Sequence, residues 1–142
     1  MVVCVSALAT ALAQTAGIDA ALLAKARAGD AAAQVQVGEC YAQGKGVPQN
    51  YKQAAVWYLK AAGQGNTGAQ GTMGMLYSLG LGVPKSYTDA YFWLDLAAQA
   101  PGANQARYIA NRQNVGTHLT TDQLAAIHER EARWKAAHPQ KK

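Results

Sequence analysis

Three histidines, His118, His128 and His138, stand at intervals of ten, and two cysteines, Cys4 and Cys40, lie far upstream. Imidazoles and thiolates are ligands of zinc, and paired ligands in such sites are separated by roughly two to five residues. An interval of ten gives no such pair, so the spacing predicts no metal site. His-Glu-Arg-Glu at 128–131 lacks the second histidine of a zinc-protease helix, and His128 reads as a polar surface residue. Cys40 has no histidine at a suggestive spacing, so it reads as a small buried apolar residue rather than a nucleophile. The 8 Asp and Glu residues show no pair in a recognisable acid–base frame. The sequence therefore assigns no catalytic, cofactor-binding or metal-binding residue.

Two stretches, GKGVPQNY at 44–51 and GLGVPKSY at 80–87, share five letters and start 36 residues apart. Glycine-rich loops can cradle phosphate, but neither copy ends in the Gly-Lys-Ser/Thr of a nucleotide-binding loop. The likeness runs well beyond the loop. Laying 29–62 on 65–98 without a gap gives 14 identities in 34 positions, among them Gly38/Gly74, Tyr41/Tyr77, Ala54/Ala90 and Trp57/Trp93. A fixed period of this length marks a repeat architecture.

The elements that carry the repeat are helical. Ala33, Val37, Cys40 and Tyr41 fall at i, i+4, i+7 and i+8 between Asp30 and Gln43, and Ala69, Met73, Leu76 and Tyr77 rebuild that face. A second helix starts at Tyr51, with its copy at Tyr87. Between them, Gly44 and Gly46 admit backbone angles that a side chain penalises, and Pro48 stops the first helix. Asp30, Asn50, Asn66 and Ser86 stand where N-caps belong. Gly38 and Gly74 lie inside helices, where glycine costs about 1 kcal/mol, so they read as points of close helix approach. Two short helices per unit cannot bury a face alone, so the units must stack.

Paired Ala-Gln, Gly-x-x-Tyr, Gly-x-Gly-Val, Ala-x-x-Trp and Ala-Ala over 29–98 resemble the Sel-one-like repeat, a relative of the tetratricopeptide repeat. The stretch 104–137 resembles its degenerate last unit. The resemblance implies an all-α fold, a short right-handed α-solenoid of stacked hairpins, and a protein-binding rather than catalytic role. Within one domain over 14–142 it places a helical cap at 18–28, repeats at 29–64 and 65–100, a closing hairpin at 101–138 and a basic tail at 139–142. Some secreted relatives carry paired cysteines in each repeat and have been linked to β-lactam or cell-wall chemistry. A cell-wall enzyme or enzyme accessory is thus the alternative reading. This chain lacks those cysteine pairs, and it lacks Ser-x-x-Lys and Lys-Thr-Gly.

The N-terminus stands apart. Val2 to Ala13 is an apolar run that closes on Ala-Leu-Ala, the small-x-small pattern of a signal-peptidase site. It is too short for a bilayer, which takes about 20 residues. The expectation is a signal peptide at 1–13 and a periplasmic or secreted product without stable membrane insertion. The missing basic n-region would follow from a true start upstream of Met1. Residues 100–142 carry seven Lys/Arg against three Asp/Glu, which reads as the polar outer face of an end unit. With few aromatics there and an export signal, no nucleic-acid partner is expected. A protein or peptide partner is expected; the oligomeric state is open.

Comparing the two units points to a binding face. Glu39, Gln43 and Lys45 are polar, whereas their register partners are Met75, Leu79 and Leu81. Positions that tolerate charge in one unit are not obligatory core. Apolar side chains there mark either a partner site or a surface that the closing hairpin covers.

Overall fold

The computed structural model describes residues 17–139, so the predicted export signal and the last three residues of the tail lie outside the described part. Seven helices follow one another within it: α1 Ala20–Arg27, α2 Ala31–Gln43, α3 Tyr51–Gly63, α4 Thr67–Leu79, α5 Tyr87–Gln99, α6 Gln105–Gly116 and α7 Thr121–Ala137. No strand forms among the described residues.

Local chemistry sets these boundaries. The side chain of Asp30 accepts the N–H of Ala33 at 2.7 Å, and Asn66 accepts that of Ala69 at 2.9 Å. Asn50 and Ser86 cap the second helices through the N–H groups of Gln53 and Asp89 at 3.1 and 3.2 Å. Each cap contributes about 1 kcal/mol. The loops leave α2 and α4 through left-handed glycines, Gly44 at φ 68° and Gly80 at φ 71°.

Hairpins α2–α3 and α4–α5 stack, α3 lying on α4 and α6 on α5, with α1 against α2. The fold is the all-α solenoid of helical hairpins that the period demands. Trp57 and Trp93 are buried, at 9% and 5% exposure. A Cβ on Gly74 would lie 2.4 Å from Leu94 Cγ, and one on Gly38 would lie 2.9 Å from Tyr58 Cε1. The helices of each hairpin thus touch where glycine permits it. The repeated glutamine has a structural task as well. Gln34 donates to Ala26 O at 3.1 Å and Gln70 to Ala62 O at 3.3 Å, both buried, tying each unit to the end of the helix before it.

Two expectations are corrected. Cys40 is half-buried, unlike its register partner Leu76, which sits in the main core. Leu76 joins the cluster that residues of α3 and α5 build around it, whereas Cys40 belongs to none of the core clusters among the described residues. The closing hairpin also fails to close on itself. α6 stacks as a first helix would, but α7 packs on α5 instead of pairing with α6. The Gly-x-Gly-Val-Pro loop that folds the other hairpins is absent between α6 and α7. Ile127 and Trp134 of α7 instead join the core cluster that holds Phe92 and Leu96 of α5. In the first unit the position of Phe92 is Val56, which stays 49% exposed.

Candidate functional site

The first helices of successive units, α4 and α6, lie side by side and leave a groove of about 370 Å3. Met75, Ser78 and Leu79 form its α4 wall, and Asn111, Asn114 and Val115 form its α6 wall. Met75 and Leu79 sit one turn apart and are 42% and 62% exposed, so no segment among the described residues covers them. At one end His118 stacks on Tyr87 with ring centroids 4.2 Å apart, and Lys85 Nζ lies 4.9 Å over the Tyr87 ring. The groove thus pairs an apolar wall with carboxamides, each offering a donor and an acceptor, and with a cationic end.

Leu81 departs from the expected patch. Gly80 and Gly82, both at positive φ, turn the loop back, and the N–H of Leu81 bonds to Leu76 O at 3.0 Å. Its side chain is half-buried against the main core cluster, not in the groove. Lys45, its register partner, is exposed. Asn111, Asn114 and His118 escaped the sequence comparison because α6 belongs to the degenerate unit, where no register partner marks them.

A second polar centre lies beneath α7. Asp95 of α5 and Glu131 of α7 are both buried, at 6% and 4% exposure. Arg112 of α6 forms an ion pair with Asp95 Oδ1, and Gln99 donates to Asp95 Oδ2 at 3.2 Å. Burial alone would raise the Asp95 pKa. Hydrogen bonds from Glu131 and Arg112, with the charges of Arg112 and His128, outweigh it and hold the carboxyl below its ordinary range. Glu131 has the opposite fate. Burial first, then the hydrogen bond to Asp95 and its negative charge, push it up to about 8. The pair therefore shares one negative charge at neutral pH. Thirty-six residues separate these carboxyls, so no local spacing exposed them. The one legible signal is His128-x-x-Glu131, two groups on one helical face.

A larger cavity of about 510 Å3 opens between the start of α4, the end of α5 and α7, lined in part by Thr67, Leu96, Trp134 and Lys135. Lys135 donates to Gln99 across it, so its polar groups serve the docking of α7. No helix among the described residues is long and apolar enough to cross a membrane.

The chain matches the Sel1 repeat family over residues 31–66 and 69–101, the two hairpins described above. It is a Sel1-repeat protein. Its structure is similar to a protective antigen present in uropathogenic Escherichia coli strains that displays an SLR fold, with a TM-score of 0.74 and 33% identity over 82% of this chain. A Sel1 repeat protein from Oxalobacter formigenes is similar at a TM-score of 0.59 and 39% identity over 63% of the chain. This chain spans 25% and 26% of the lengths of those two proteins. None of the curated proteins matches it. Sel1-repeat proteins are in general non-catalytic scaffolds for protein interaction.

Proposed function

We propose that this Sel1-repeat protein is a non-catalytic, exported adaptor whose α4–α6 groove holds an extended peptide of a partner protein. The observation that carries the reading is the exposure of Met75 and Leu79 along a groove whose other wall bears Asn111 and Asn114. An extended peptide exposes backbone N–H and C=O groups that carboxamides can pair, and methionine adapts to varied side chains. Lys85 at the end of the groove favours an acidic residue beside the apolar anchor. Export rests on the apolar run Val2–Ala13 and its Ala-Leu-Ala ending.

The test is selection from a random peptide library, followed by mapping of the selected peptide by NMR shift changes. Selected peptides are expected to carry an apolar residue near an acidic one and to shift Asn111, Asn114 and His118. Met75→Glu combined with Leu79→Gln should abolish binding at unchanged melting temperature, because both side chains are exposed. Leu81→Lys should lower the melting temperature and leave the groove intact. Binding that survives the double change would refute the groove. For export, mass spectrometry of protein from its native host should find Gln14 first, and an intact 1–13 segment would refute that part.

A further inference from the structure

His128 and Glu131 stand three apart on α7 and share a face, which α7 lays over Asp95 of α5. A ring nitrogen of His128 and one carboxylate oxygen from each of Asp95 and Glu131 lie within 4.8 Å of one another. Glu131 is 4% exposed, and beyond the hydrogen bond that its carboxyl shares with Asp95 its Oε1 has no partner among the described residues. Leaving a buried acceptor unpaired costs about 1–3 kcal/mol. That is a large penalty for α7, whose buried side chains are Ile127 and Glu131 alone. An apolar residue at 131 would dock the helix without it. A carboxyl oxygen kept unpaired, beside a second carboxylate and an imidazole, is instead an arrangement that a cation completes.

We propose that Asp95, His128 and Glu131 bind a divalent transition-metal ion of the zinc type, which pins the end helix α7 to α5. One imidazole nitrogen with two carboxylate oxygens suits zinc, whereas calcium and magnesium take oxygen donors. The supporting partners are in place. Arg112 and Gln99 donate to the two oxygens of Asp95 and fix its orientation, the outer-shell role that ligating carboxylates need. Arg112 also offsets one negative charge of the carboxylate pair. His128 is exposed, which gives the ion a path from solvent and leaves a coordination position for water.

The experiment uses the full, tag-free chain stripped with EDTA and titrated with zinc by calorimetry, with thermal melts alongside. One zinc is expected per chain, with a melting temperature that climbs with the logarithm of free zinc. His128→Ala removes an exposed ligand without disturbing the core, and it should weaken zinc at least about tenfold. Glu131→Gln keeps the side-chain shape and should do the same, its fold verified by its own melt in EDTA. His118→Ala should leave zinc binding unchanged. A folded wild-type chain that takes up no zinc, or zinc binding that survives His128→Ala or Glu131→Gln unweakened, would overturn the site.

Discussion

Adding one methyl group at Gly74 tests how closely the hairpin is packed. The helix itself gains: replacing an interior glycine by alanine is worth about 1 kcal/mol. The packing loses more. The new Cβ would sit 2.4 Å from Leu94 Cγ and 3.1 Å from the backbone oxygen of Ala90. Carbon atoms rest at about 3.5–4 Å, so more than an ångström must open between α4 and α5. Leu94 is 1% exposed, and Cγ is a branch point rather than a free tip, so it cannot step aside. Overpacking of this kind costs about 1–3 kcal/mol, and the severity of the contact argues for the upper end. The net expectation for Gly74→Ala is a loss of about 2 kcal/mol, or roughly 6 °C in Tm for a chain of this size. Two further glycines complete a graded series. Gly38→Ala meets only the ring of Tyr58, at 2.9 Å, and should come out near neutral as the ring shifts. Gly63 ends α3 with nothing within 4 Å, so Gly63→Ala should gain up to about 1 kcal/mol. Thermal and urea melts followed by circular dichroism measure all three. A Gly74→Ala protein that melts level with the parent or with Gly63→Ala would refute the close approach of α4 and α5.

Trp93→Ala should cost about 3–5 kcal/mol, enough to unfold most of so short an array, and a melt within a degree or two of the parent would contradict its core position. Asn66→Ala removes the cap that holds the Ala69 N–H and should lower stability by about 1 kcal/mol in the same melts. Stability should also fall with rising pH in EDTA. Native Glu131 keeps its proton to about pH 8, against an ordinary value of 4.5. Its contribution is therefore complete below the unfolded value and lost as pH climbs through the folded one. Tm should decline between about pH 5 and pH 8, and Glu131→Gln should flatten that decline. Asp95, held low, acts in the other direction and adds stability that only stronger acid removes.

Local rules and the 36-residue period were enough to write most of this fold from the sequence. Asp30, Asn50, Asn66 and Ser86 capped the helices they precede, and Gly44 and Gly80 turned the loops, because capping and positive φ depend only on neighbouring residues. Stacking followed from the repeat, since each amphipathic pair needs the next to cover it. The exposure of Met75 and Leu79 was legible in the same way, through the polar residues Glu39 and Gln43 that the first unit tolerates at those positions. Only the tertiary structure decided three other points. Leu81 turned inward because two glycines reverse the loop, and that direction is not encoded in its polarity. The end helix α7 landed on α5, where Phe92 and Leu96 offered an apolar face, once the hairpin-forming loop was missing. That landing alone brought Glu131 and His128 onto Asp95. Nothing in the sequence marks groups 33 and 36 residues apart as neighbours, because their meeting is set by how whole helices dock.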